Sequence, residues 1–291
     1  MDNVFIYNSC SRRYWIFNTI RYRNSIVPSS SPNEVVNICF GGDVIKERFS
    51  PMHIVLLSCL IDELKTNNYK VRLFIENNSF KDFLWNDIKV SRYWRGNKIA
   101  YIPSPTPSKF NLWRILEEYQ DSYAINVCEY FKTLNRGKDF SGFQVALNEL
   151  YYNVFDHADA NGNAFSYINF DESDNSISVA VCDFGKGIAS KIRSVYPEYL
   201  TDDYALEKAM DRGITSKSKE HNAGLGLYNI ATMLQDEDYL RILSNKSFAV
   251  CIGDLKKFYN LEVEFGGTLI YLKISLDSFP EEEIMDSYGF D

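Results

Sequence analysis

Histidine is scarce in this chain. Three residues in 291, His53, His157 and His221, are too few for a histidine-rich metal centre. The six cysteines (Cys10, Cys39, Cys59, Cys128, Cys182 and Cys251) contain no C-x-x-C pair. That excludes a zinc ribbon or a disulfide scaffold and predicts a reducing, cytoplasmic setting. There is no run of about 20 apolar residues to span a bilayer, and no apolar centre of a secretory signal near Met1. An excess of positive charge is also missing. Lys and Arg number 31 against 39 Asp and Glu, a formal net charge of −8, so the molecule as a whole is not built to coat nucleic acid or anionic lipid. Internal repeats are absent. What remains is ordinary globular composition, 45% hydrophobic and 24% charged, with length for two domains and small appendages.

Residues 1–27 carry Arg12, Arg13, Arg21 and Arg23 against one acid, Asp2, interleaved with Phe5, Tyr7, Tyr14, Trp15, Phe17 and Tyr22. Such a basic-aromatic arm can touch nucleic acid, membrane or a protein partner; a short strand or helix packed on the main body is the plainer reading. Pro28 to Asn33 reads as a linker, so residues 1–33 form an arm and linker. A small α/β domain is predicted over 34–110. Val35–Phe40 is strand-like and ends at Gly41-Gly42. Residues 51–67 are helical, with Ser50 as cap, Pro51 in the first turn, and Ile54, Leu57, Ile61 and Leu64 at helical spacing. Strands follow at 71–75 and 99–102, and Pro103, Pro105 and Pro107 mark a break. A helical stretch over about 111–136 leads into a second domain, 111–276. The tail, 277–291, has six acids and no base and reads as solvated and loosely ordered.

Three segments of the second half carry candidate chemistry. In 143–158, Leu147, Leu150, Tyr151 and Val154 make a buried helical stripe, while Glu149, Asn153 and His157 share another face at i, i+4, i+8. By itself this is an amphipathic helix. In 177–188, alternation through Ile177, Val179 and Val181 reads as a strand ending on Asp183 and a D-x-G-x-G turn. Its glycines, Gly185 and Gly187, allow backbone to approach a ligand, and a carboxylate at a strand end can accept from an exocyclic amine such as adenine's. An ordinary Asp/Gly hairpin turn reads equally well. In 222–234, Leu227, Ile230, Ala231 and Leu234 form a helical stripe that starts just after Gly224 and Gly226, and backbone amides over Gly224, Leu225, Gly226 and Leu227 could cradle phosphate; tight helix packing is the alternative. It is not a dinucleotide fingerprint, since the third glycine and the preceding strand are missing.

In this order the segments resemble the Bergerat-fold ATPases, the GHKL superfamily of gyrases, heat-shock chaperones, sensor histidine kinases and mismatch-repair ATPases. Glu149 and Asn153 match the N box; Asp183, Gly185 and Gly187 match the first glycine box; Gly224 and Gly226 match the second; Gly266-Gly267-Thr268 with Leu269–Ile274 matches the closing strand. The resemblance covers about 140–276. It implies an α+β chain whose C-terminal half is a Bergerat α/β sandwich, helices on one face of a mixed sheet, preceded by the smaller α/β domain. It further implies ATP and Mg²⁺ as ligands. Asn153 would hold the metal, Asp183 would read the adenine amine with Thr268 in support, and Glu149 would be the general base. Residues 188–223 would form a mobile lid with a helix near 202–211. In it Lys217 or Lys219 would close on the phosphates as a mobile cation, or Thr215, Ser216 and Ser218 would donate hydroxyls to a phosphate; a solvated loop is the plain alternative. His157 sits where anti-sigma-factor kinases often carry a histidine, in a capping, packing or catalytic role.

The D-F-G spelled by Asp183, Phe184 and Gly185 carries no weight, because no H-R-D-type loop accompanies it. Only 15 residues follow Leu276, which argues against a gyrase-type transducer, and 111–140 lacks the histidine an autokinase phosphorylates. The Ser50-Pro51-Met52 opening and the strand-helix alternation resemble STAS-type domains, which partner anti-sigma-factor kinases. Two functions are therefore expected in competition. One is an ATPase or serine/threonine protein kinase. The other is an ATP-gated interaction switch without turnover. A protein partner through the N-terminal domain and a homodimer both fit either one, and contact with nucleic acid stays open.

Overall fold

The computed structural model describes residues 3–8, 11–31, 34–90, 109–157, 162–214 and 226–282. The chain is α+β, with one parallel and one antiparallel sheet. The first sheet takes β1 (Asn3–Tyr7), β2 (Val35–Phe40) and β3 (Lys70–Ile75) in the order β1-β2-β3. Its two crossovers are α1 (Arg12–Asn24) and α2 (Pro51–Thr66), and the short α3 (Asn78–Asp82) follows β3. The basic-aromatic segment is thus not a free arm. It supplies an edge strand and a helix, as the plainer reading held, because Phe5, Tyr7, Trp15 and Ile20 bury completely or nearly so.

The second sheet has the order β4-β5-β6-β8-β7, built from β4 (Lys109–Arg114), β5 (Ala164–Asp171), β6 (Ser176–Asp183), β7 (Tyr239–Ile252) and β8 (Leu255–Ser275). All four pairings are antiparallel, so the expected mixed sheet is corrected. Against one face pack α4 (Gln120–Leu134), α5 (Ser141–His157), α6 (Ile188–Val195), α7 (Asp202–Ala209) and α8 (Gly226–Thr232). The other face is covered as well, by α2 and α1, whose side chains share one core with Phe165, Tyr167, Cys182, Phe265 and Leu269.

This arrangement explains α2. Ser50 starts the helix as expected, its N–H donating to His53 Nδ1 at 2.9 Å, and Pro51 occupies the first turn. A helix buried nearly all round, from Met52 through Ile61, is one held between two layers. Here the layers are the parallel sheet and the face of β5, β6 and β8. Every residue of β6 is buried, with Ile177, Val179 and Val181 toward the α4–α8 layer and the smaller Ala180 and Cys182 toward α2. The small side chains admit α2 closely enough for Cys59 Sγ to reach the Cys182 carbonyl at 3.3 Å.

Three other expectations change. Residues 111–114 belong to strand β4 rather than to a helix, and Arg114 on β4 ion-pairs with Asp62 on α2. The tail begins docked: Phe279 is buried against Phe140, centroids 4.5 Å apart, and Glu281 pairs with Lys138 at 2.8 Å. The lid expected over 188–223 starts as core, with Ile188, Ala189, Ile192, Ala205 and Leu206 buried in α6 and α7; α7 matches the helix expected near 202–211. The strand expected at 99–102 lies outside the described residues.

Candidate functional site

Asp183 ends β6 in register with Thr268 of β8. Its carboxylate accepts from the Gly185 N–H at 2.9 Å and from the backbone and hydroxyl of Thr268. Burial outweighs these donors and the nearby Arg23 charge, and pushes the carboxyl up to about 7. The carboxyl is therefore poised to change ionisation near neutrality.

The turn after Asp183 is moulded by two glycines with positive φ. Gly187 (φ 80) leads into α6, and a Cβ there would sit 2.8 Å from the Gly267 carbonyl. Gly267 (φ 136) passes so close to the Asp183 carbonyl that a Cβ could not be accommodated. The same turn is held by residues that motif reading missed. Ser244 Oγ accepts from the Ile188 N–H at 2.7 Å, Asn245 Oδ1 accepts from the Ser190 N–H at 3.0 Å, and Asn245 Nδ2 donates to the Lys186 carbonyl at 2.9 Å. Asn245 stands at an irregularity of β7, with φ 52. The signal available in the sequence was the polar Ser244-Asn245-Lys246-Ser247 interruption of an apolar strand.

On α5 the predicted stripe is buried as expected, with Leu147, Leu150, Tyr151 and Val154 in the core. Glu149 lies on the neighbouring face, and its carboxylate presses on Gly226, the first residue of α8, so that a Cβ at 226 would overlap it. One turn on, Asn153 Nδ2 is buried and without a hydrogen-bond partner among the described residues. Leu227 is buried in the core beneath α8. His157 is the last residue of α5. Thr215, Lys217, Gly224 and Leu225, with Ser216, Ser218 and Lys219, lie outside the described residues.

Two of these groups bear on which ligand the site could take. A buried carboxylate suits an amine donor, and the unpartnered Asn153 Nδ2, itself a donor, suits an acceptor such as a phosphate oxygen, whereas a cation would need the Asn153 Oδ1. No group of three or more His, Cys, Asp and Glu capable of holding a metal occurs among the described residues. A cation beside Asn153 would then take the rest of its oxygen ligands from phosphate and water, the habit of Mg²⁺. No known family model matches the chain, and no curated protein matches it. No helix among the described residues is long and apolar enough to cross a membrane.

Proposed function

We propose that this chain is a Mg-ATP-binding regulatory protein of the GHKL type, acting in the cytoplasm, that hydrolyses ATP or transfers its γ-phosphate to a protein hydroxyl. The observation that carries the reading is the placement of Asp183 and Thr268 as a cross-strand pair at the end of a buried strand. In this reading, Asp183 accepts from the adenine amine in its ionised form, and Thr268 holds the carboxylate in position. Asn153 would hold Mg²⁺, which when bound neutralises phosphate charge. Glu149 takes the proton of a water or hydroxyl. Gly185, Gly187, Gly224, Leu225, Gly226 and Leu227 give backbone access to the nucleotide. Thr215 and Lys217, in a lid segment that follows α7, close over the phosphates.

An ATP-gated switch without turnover is the second reading. It draws on Arg23, which brings α1 against the turn after Asp183 and against β8 through the carbonyls of Phe184 and Gly266. A protein partner bound to the first ninety residues, or a second copy of the chain, would then sense the nucleotide. Following γ-labelled ATP with Mg²⁺ separates the readings. Free phosphate or labelled protein that disappears in Glu149→Gln supports the enzyme. Retained ATP binding without turnover in either protein supports the switch, and failure to bind ATP sinks both.

A further inference from the structure

The sheet face that α2 covers over β5, β6 and β8 runs on past that helix, onto β7 and the outer half of the β7–β8 hairpin. There α1 forms the opposite wall and leaves a cleft of about 540 Å³ between them. That volume is within the usual range for small-molecule sites. Its floor is apolar, with Leu243, Phe248, Val250 and Leu261 from the hairpin. At this cleft stand two arginines on different walls, Arg13 on α1 and Arg241 on β7. Arg13 lies 5.9 Å from the ring of Phe17, and Arg241 lies 4.9 Å from the ring of Tyr239. Neither has a carboxylate partner among the described residues; Glu262, in the adjoining stretch of the groove, pairs with neither.

We propose that this cleft binds a free long-chain carboxylate, the chain laid on Leu243, Phe248 and Val250 and the head group held by Arg13 and Arg241. The charge pattern selects this occupant. A wholly apolar ligand would leave two guanidinium groups beside it without a counter-charge, and a compact anion would leave the apolar floor wet. A carboxylate accepts from the planar guanidinium fork in a way that an alcohol cannot match. The site lies on the face of the sheet opposite α5, so the proposal stands apart from the nucleotide reading.

Calorimetric titration of the full chain with dodecanoate below its micelle concentration tests this. Dodecyltrimethylammonium serves as the same chain with opposite charge. Saturable binding of one dodecanoate is expected, with the cationic analogue weaker by about tenfold or more. Arg13→Gln with Arg241→Gln should weaken dodecanoate by a similar factor. Val250→Trp, which fills the floor without touching charge, should abolish binding while the thermal midpoint is kept. If the arginine variant fails to fold, the charge comparison on the wild type and Val250→Trp still decide. Absent saturation, equal binding of the two amphiphiles, or binding unaffected by Val250→Trp overturns the proposal. So does uptake onto anionic vesicles or single-stranded DNA with no binding of free dodecanoate.

Discussion

Arg23 and Phe184 are 161 residues apart in sequence, yet the guanidinium of one lies over the ring of the other at 4.0 Å. The same guanidinium donates to the Phe184 carbonyl at 3.3 Å and to the carbonyl of Gly266. It ties the C-terminal end of α1 to the turn after Asp183 and to the irregular stretch of β8 beside it. Arg23→Ala should destabilise the fold by about 1–3 kcal/mol, the combined scale of a partly desolvated cation–π contact and charged hydrogen bonds. On the proposed nucleotide reading it should also weaken ATP binding, because the turn after Asp183 and the adjoining stretch of β8 lose their clamp. Urea unfolding beside an ATP titration checks this, and Arg23→Lys should recover little, since an ammonium cannot bond two carbonyls and stack at once. Unchanged stability and affinity would show the contact to be incidental.

Asp183 gives a pH dependence of known sign. Its native carboxyl titrates at about 7, above the 3.8 of the unfolded chain. The native state therefore keeps a proton that the unfolded state has lost. Its contribution is fully favourable below about pH 4, falls as pH rises to about 7 and is flat beyond. The stability difference between wild type and Asp183→Asn should follow that curve, since Asn still accepts from Gly185 and Thr268 but does not titrate. If adenine binds the ionised form, ATP affinity should rise through pH 7, with a proton released on binding. Calorimetry in buffers of different ionisation enthalpy measures that proton. A flat difference curve would contradict the assignment.

Gly226→Ala places a methyl group in the Glu149 carboxylate. Overpacking of this kind costs about 1–3 kcal/mol. Any turnover that relies on Glu149 should fall with it. In Glu149→Ala the obstruction is gone, so adding Gly226→Ala should then cost much less. The coupling in this double-mutant cycle reads the contact directly. Additive effects would mean that the two residues do not touch.

Phe279→Ala should destabilise by about 3–5 kcal/mol, the range for a large aromatic truncated in a core. Phe279 is buried between Phe140 and Phe143, with ring centroids 4.5 and 5.7 Å away. A loosely ordered tail would instead tolerate the change. Thermal denaturation of the variant, beside a chain stopped after Leu276, distinguishes the two.

How far the sequence could be read depended on whether a signal was local. Ser50, Pro51 and the spacing of Ile54, Leu57, Ile61 and Leu64 announced α2 because capping and periodicity act within a few residues. The same helix hid its position between layers, since a stripe of apolar residues does not say how many surfaces it meets. Strand β4 was misread for a related reason. Leu112 and Trp113 are neighbours, but one is buried in the core shared with α2 and the other in the core under α4 and α5. Two covered faces erase the alternation that marks a strand. Glu149, Asn153 and Asp183 stood out through spacing, and α5 and β6 carry them as elements of the expected type. Arg23, Ser244 and Asn245 reach the turn after Asp183 or its neighbouring strand across 55 residues or more, and nothing near them in the chain names that partner.

The placement of β6 between two cores bears on how the chain can be cut. Residues from 109 onward hold a complete antiparallel sheet with its own helix layer, yet severed from the first ninety they would lay Phe165, Tyr167, Phe265, Leu269 and Tyr271 open to water. A contiguous apolar face of that kind drives association. Limited proteolysis between the halves should therefore yield fragments that stay together, and expression of the second half alone should give an insoluble product. Nature, and the experimenter, must keep or replace α2 to keep the sheet.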